Sequence, residues 1–334
     1  MDSGLIIEWI VKSLILVLGL TAGFAYTTLY ERKVLARMQL RIGPNRAGPL
    51  GFLQPVADGI KLIFKEEFTP GSADKLLFFI APVITVIPAM IVLAVVPWGE
   101  SVKIFGKEFT LYLTDINVGV LWILSVTSIS VYGITIAGWA SNNKYALLGG
   151  LRSTAQMISY ELALGTAYIG AVLWAGSLSI LDIVNAQQPI WFIVFQPAGF
   201  IIYFIASLAE VNRSPFDMPE AEQELTAGFH AEYSGMKFAL FFMAEYIKVV
   251  AVSVIGASLF LGGFRGPFID TYPWLGPIYL FGKTIIWVFV IIWIRATLPR
   301  IRYDRLMALG WKVLFPIGLL NIIMTAVMLK LVGG

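Results

Sequence analysis

The residues of this chain that can do chemistry are carboxylates set into apolar sequence. Glu161 stands in Ser159-Tyr160-Glu161 of one long apolar run, and Glu245 and Lys248 stand three apart in another. Ionisable groups in membrane-length apolar segments are costly and mark polar pathways by default. On a helix, the i, i+3 spacing lets Glu245 and Lys248 pair. Glu161 has no charged residue within four positions on its own helix. It lies near one end of its run, so snorkelling toward the interface is a competing explanation. A third group is acidic: Glu210, Asp217, Glu220, Glu222, Glu224 and Glu232 share residues 210–237 with only Arg213 and Lys237 as cations. Asp217-x-x-Glu220 fits a capping box, and a short helix beyond it would put Glu220 and Glu224 on one face. Like charges that close repel, which raises a carboxyl pKa, and burial raises it further. Such groups exchange protons near neutral pH. A solvated acidic helix is the plainer alternative. Glu31, Glu161, Glu210, the Glu220–Glu222–Glu224 cluster and Glu245 are therefore a candidate chain of protonatable groups.

Other chemistry is excluded by what the sequence lacks. There is no cysteine and one histidine, His230. Disulfides, zinc–thiolate sites and iron–sulfur ligation are ruled out, and little remains for haem or a metal ion. No catalytic residue and no metal ligand is assigned in this chain. It has no GxxxxGK[ST] loop and no GxGxxG after a strand, so a nucleotide-driven pump in this chain alone does not fit.

These groups must be positioned by membrane helices. Of 334 residues, 58% are hydrophobic and 13% charged, against about 25% charged in soluble domains. Roughly 20 apolar residues span a hydrocarbon core. Eight stretches qualify: 5–30, 76–96, 118–140, 155–174, 190–209, 238–261, 280–294 and 313–331. The first is too long for a signal peptide and begins with Asp2 and Glu8 rather than a basic region. The expected fold is an all-α polytopic membrane protein of about eight transmembrane helices, one integral membrane domain over 1–334.

The charges concentrate in four stretches, 31–75, 141–154, 210–237 and 295–312, which alternate with the spans and so lie on one side. They hold 17 Lys and Arg, against about six on the opposite side (Lys12, Lys103, Lys107, Arg265, Lys283 and Lys330). By the positive-inside rule the rich side is cytoplasmic and both termini are outside. In the first loop, Gly43-Pro44-Asn45 and Gly48-Pro49 mark tight turns. Beyond them Phe52, Val56, Ile60, Ile63 and Phe64 share one helical face, with Asp58, Lys61 and Lys65 on another. That pattern predicts an amphipathic helix in the interface plane, with an ordinary basic loop and surface helix as the alternative. The basic run from Arg295 to Arg305 is explained by headgroups and topology alone.

The loop sequences carry a resemblance. ERKVLARMQLRIGPNRAGPLGFLQPVADGIKLIFKEE from Glu31, YALLGGLRSTAQMISYELALG from Tyr145, AEVNRSPFDMPEAEQELTAGFHAEYSGMKFALFFMAEY from Ala209 and RATLPRIRYDRLMALGWK from Arg295 together resemble the H-subunit family of respiratory complex I, the proton-pumping NADH:quinone oxidoreductase. They cover all four rich loops in the family's order. The resemblance implies a subunit that anchors the hydrophilic arm and forms part of the tunnel by which a lipid quinone enters from the bilayer. The entrance would be framed here by 5–30, 51–66 and 238–261. Quinone would be the substrate. The iron–sulfur clusters and FMN would sit in partner subunits, with no cofactor held by this chain. Expected partners are the hydrophilic-arm quinone-site and iron–sulfur subunits, adjacent small membrane subunits and membrane lipid, and no nucleic acid.

Carried over by position, Arg32, Arg41, Asp58, Arg213, Arg295 and Arg300 match polar residues that line or flank the tunnel, and Phe216 an aromatic beside it. Glu31, Glu161, Glu210, Glu220, Glu222, Glu224 and Glu245 match carboxylates of the proton-coupling route, to which the spacing of Lys248 adds a cation. Ala47, Phe52 and Met218 depart from the expected Val, Leu and Leu without touching a charged motif. The expected location is a bacterial inner membrane, with the mitochondrial inner membrane as the alternative. Two other readings are a homologous subunit of a ferredoxin- or hydrogenase-linked complex and a free-standing proton-coupled transporter.

Overall fold

The structure, a computed structural model, describes residues 3–104, 107–217 and 228–332. It is a polytopic helical membrane protein: seven of its described helices or helix runs are long and apolar enough to cross a bilayer, and an eighth apolar helix is shorter. The helices are α1 (Ser3–Met38), α2 (Gln54–Ile63), α3 (Lys75–Ile91), α4 (Gly119–Ala140), α5 (Lys144–Ala175), α6 (Ile180–Asn185), α7 (Phe192–Phe195), α8 (Pro197–Glu210), α9 (Gly235–Phe260), α10 (Gly276–Thr297), α11 (Tyr303–Leu309) and α12 (Phe315–Val332). A π-turn over Gly310–Leu314 joins the last two. The strands described are an antiparallel hairpin, β1 (Ser101–Ile104) with β2 (Lys107–Thr110), in which Ser101 faces Thr110.

Helix α9 is central. It packs against α1, α2, α3, α6, α8 and α10, and 61% of its apolar window is buried, against 6% for α1 at the periphery. Around it a core of Tyr160, Tyr168, Tyr203, Phe260 and Trp287 joins α5, α8, α9 and α10. Helices α3 and α4 approach closely because position 133 is glycine: a Cβ there would lie 2.1 Å from Thr85 Oγ1.

Helix boundaries depart from the apolar runs in ways that matter for the site. Helix α1 continues to Met38, so Glu31, Arg32, Lys33 and Arg37 ride on a rigid helix. Likewise α5 starts at Lys144, capped by Asn143, and takes in most of 141–154. The 190–209 run is broken: α7 ends at Phe195 and α8 starts at Pro197. Gln196, at the break, donates to the Gly170 carbonyl (2.8 Å) and Thr325 Oγ1 (3.0 Å). Irregular backbone at such depth is tolerated where protein groups surround it. The amphipathic helix expected over 51–66 is α2. None of its residues is buried, and Phe52, Val56, Ile60, Ile63 and Phe64 are all exposed.

Candidate functional site

Hydrogen bonds and ion pairs join the charge-rich segments to one another. Asn142 Nδ2 donates to Ser72 O (3.2 Å), and Asn143 Nδ2 to Glu232 Oε1 (2.7 Å). Ser234 Oγ donates to Glu66 O (3.2 Å) and accepts from Phe68 N (3.1 Å). Ile301 N donates to Pro215 O (3.0 Å), and Arg300 pairs with Asp217 at 3.3 Å. Loops far apart in sequence therefore form one polar end. Tyr233 stacks on Phe78 there, ring centroids 3.9 Å apart, and burial pushes its phenol pKa up.

The centre of that end is a buried ionic cluster. Arg213, 4% exposed, follows α8 in the turn over 211–217. Its Nε meets Glu245 Oε1 of α9 at 2.6 Å, and its Nη1 lies 3.4 Å from both carboxylate oxygens of Glu31 on α1. Its guanidinium covers the Tyr246 ring at 4.2 Å. Arg295, at the end of α10, also donates to Glu31. Two arginines and two carboxylates from four parts of the fold thus share one partly dry site. Taking such charges out of water costs several kcal/mol per ion, by order of magnitude. Only mutual pairing makes the arrangement tolerable, and any added charge there is felt strongly.

Gln156, fully buried on α5, holds the loop that presents Arg213. Its Nε2 donates to Ala209 O (2.7 Å) and Phe216 O (2.8 Å). Phe216 itself is buried against Tyr160, centroids 5.9 Å apart, and Tyr160 Oη donates to Leu306 O (2.8 Å). Gln156 is absent from the sequence-derived site. Its one signal is an amide side chain inside an apolar run.

A second group of charges lies deeper. Glu210 and Lys248 line two adjoining cavities, of about 40 and 20 Å³, each with room for water. Glu245 also lines the first, and Thr127, Ser130 and Tyr168 line the second. Lys248 feels the fields of Glu210, Glu245 and Glu161, so the expected pairing of Glu245 with Lys248 widens: the ion pair of Glu245 is with Arg213, and Lys248 serves several carboxylates. Glu161 accepts from Ser128 Oγ of α4, a partner that no spacing along α5 could indicate.

The remaining expected site residues separate. Arg32 Nη1 pairs with Asp58 Oδ2 at 2.7 Å, half exposed, and ties α1 to α2. Gln54 Nε2 supports Asp58 at 3.0 Å. Arg41 bonds Gln39 Oε1 (2.7 Å) on its own exposed turn and is not joined to the buried cluster. Glu220, Glu222, Glu224 and Met218 lie outside the described residues, and with them the helix that the Asp217–Glu220 capping box would begin. Among the described residues no three His, Asp or Glu converge as a metal site.

Comparison with known proteins gives this arrangement its family. The family model for NADH dehydrogenase matches residues 11–326. The chain is 52% identical to an NADH-quinone oxidoreductase H subunit of Geobacter metallireducens over 92% of each protein. It is 53% identical to the H subunit of Protochlamydia amoebophila over 90% of this chain and 91% of that one, and 50% identical to the H subunit of Thermomicrobium roseum over 96% and 95%. The chain belongs to the NADH dehydrogenase family and, within it, to the H-subunit family of NADH-quinone oxidoreductase.

Proposed function

We propose that this chain works in a proton-pumping NADH:quinone oxidoreductase as the membrane subunit that admits the quinone, holds part of its site, anchors the hydrophilic arm and couples quinone reduction to proton movement. The supporting observation is the buried Glu31–Arg213–Glu245 cluster with Arg295. It joins the two helices, α1 and α9, that also flank the exposed amphipathic helix α2. A lipid-borne substrate arriving along the apolar face of α2 meets an end of the molecule where charge is paired and sparsely solvated. Reduction of a quinone consumes protons and builds negative charge on its oxygens. Arginines held in such a site stabilise that charge, and a carboxylate released from its arginine partner becomes easier to protonate. Glu245 belongs to the cluster and also lines the cavity of Glu210 and Lys248. It is thus the side chain through which a change in the cluster reaches Glu210, Lys248 and, beyond them, Glu161.

In this reading, Arg213, Arg295, Arg300 and Phe216 border the quinone's route, with Arg32, Asp58 and Arg41 toward its entrance. Glu31, Glu245, Glu210, Lys248 and Glu161 carry the response, together with Glu220, Glu222 and Glu224. The charge-rich end faces the cytoplasm of a bacterial inner membrane, docks the quinone-site and iron–sulfur subunits of the hydrophilic arm, and leaves both termini periplasmic. Electrons stay in those partners, consistent with a chain that has no cysteine.

The test is Arg213→Met in the assembled complex. NADH:quinone activity is expected to fall at least about a hundredfold, the scale of one lost charge-stabilising donor. NADH oxidation by ferricyanide, which bypasses the membrane arm, stays within twofold. Equal loss of both activities would mean failed assembly, and unchanged quinone reduction would remove Arg213 from the site.

A further inference from the structure

The only histidine in the chain has no part in the cluster just described, yet it faces the same cavity. His230 sits on the 3-10 turn Gly228–His230, half-buried. Its ring lies edge-on to Phe229 (centroids 4.9 Å) and Phe238 (5.5 Å), and it lines the larger cavity together with Glu210, Glu245 and Lys248. Every other ring in that wall is a phenylalanine. The turn is seated closely on α5: a Cβ at Gly149 would stand 2.8 Å from the Gly228 Cα. Tyr233 N then closes the turn onto His230 O at 3.0 Å.

Among the described residues, the charged groups that line this cavity are few. Helix α8 supplies Glu210, and α9 supplies Glu245 and Lys248. The residues of α3 and α4 that line it, Thr85 and Ile134, carry no charge. Glu232, on the same segment as His230, accepts from Asn143. Within the cavity Glu210 Oε2 is buried without a hydrogen-bond partner among the described residues, although buried carboxylate oxygens are ordinarily satisfied. It is an acceptor open to a proton-bearing group. Imidazole is the side chain whose ordinary pKa lies near neutrality, and its two nitrogens let it take a proton on one side and release it on the other.

We propose that His230 is a proton-transfer residue that feeds the Glu210–Lys248 cavity from the charge-rich end. In the step, one imidazolium N–H bond breaks as its proton passes, directly or through one water, to a carboxylate oxygen of the cavity. The neutral ring is then reprotonated from the solvent side, and nothing is oxidised or reduced. The proposal rests on the proton-coupling reading above and adds an entry point to it.

The experiment uses the intact complex in sealed vesicles, measuring proton uptake and NADH:quinone turnover across pH 6–8.5, with ferricyanide reduction as the control for assembly. His230→Gln is expected to lower quinone-coupled proton uptake about a hundredfold, at the low end of what a lost acid–base group costs. Added imidazole should restore part of the loss. His230→Asp should retain pumping with its pH profile displaced to lower pH. If Gln disturbs assembly, the Asp variant carries the test alone. Wild-type pumping and pH profile in H230Q, a loss that imidazole leaves untouched, or a wild-type pH profile in H230D would each overturn the proposal. Glu210→Gln and Lys248→Met run beside them. If these abolish pumping while H230Q does not, only the entry point is wrong; if these also pump normally, the coupling reading itself fails.

Discussion

The two ends of the molecule satisfy their cations in different ways, the one buried and the other half-buried. At the charge-rich end Arg213 is met by the carboxylates of Glu31 and Glu245. At the other end Lys283 Nζ, on α10, donates to the carbonyls of Leu261 (2.6 Å), Gly263 (2.7 Å) and Arg265 (2.7 Å) and lies 5.0 Å from the Trp191 ring. Arg265 reaches Asn185, Gln188 and Glu100. Gln187 bridges Ser258 O and Gly262 N. Cations near a helix C-terminus satisfy carbonyls left without a partner and complement the helix dipole, so Lys283 and its neighbours fasten the end of α9. Backbone carbonyls cannot take up or release a proton at physiological pH, whereas carboxylates can. One end of α9 is therefore clamped, and the other sits in a network whose charge state can change. The same cationic chemistry meets backbone carbonyls in one place and titratable carboxylates in the other.

This contrast can be broken or sharpened by substitution. The largest effect in the assembled enzyme is expected at the responsive end. Gln156→Leu removes both of its bonds to the Arg213 loop and leaves Phe216 O without its donor, while Ala209 O keeps the backbone N–H of Asn212 (3.3 Å). Such a loss is worth about 1–3 kcal/mol, and quinone reduction should fall severalfold more than ferricyanide reduction. Parallel loss of both would show Gln156 to be a packing element only. Lys283→Met should do the reverse. It strips a donor from three carbonyls, so the melting temperature of the purified complex drops by several degrees while the coupling of turnover to proton uptake stays normal. An uncoupled but thermally normal K283M enzyme would erase the distinction between the ends. The smallest effect belongs to Asp58→Asn. Its pair with Arg32 is half exposed and screened, in the range of about 0–1 kcal/mol. Turnover with a water-soluble short-chain quinone should stay within twofold of wild type, and a large loss would move Arg32 and Asp58 from the entrance into the site proper.

Sequence reasoning reached some of these residues and missed others for definable reasons. Glu245 stood out because charge within an apolar run is rare, Glu31 joined it as a candidate protonatable group, and Arg213 and Arg295 entered only through the resemblance that the loop motifs carry. Gln156 and Ser128 did not. An amide or hydroxyl in a membrane helix costs far less than a charge, and its meaning depends on a partner elsewhere: Gln156 serves a turn 60 residues on. His230 was visible only as a count of one, since nothing local to it indicates the cavity it borders. The pairing imagined between Glu245 and Lys248 followed helix spacing, but Arg213 from another segment offers Glu245 a closer partner. Helices α1 and α5 run past the apolar stretches into polar sequence, because the hydrocarbon limits apolar composition and not helix length.

By itself the sequence determined that this chain crosses a membrane repeatedly, that most of its charges fall in stretches between the apolar runs, and that it carries no cysteine for redox centres. Each follows from composition, because lipid admits apolar helices and little else. Only the tertiary structure decided which charges meet. Glu31 is 182 residues from Arg213 and 264 from Arg295, and no periodicity relates positions so distant. Their contact is set by how α1, α9 and α10 pack and by the loop that Gln156 holds between them.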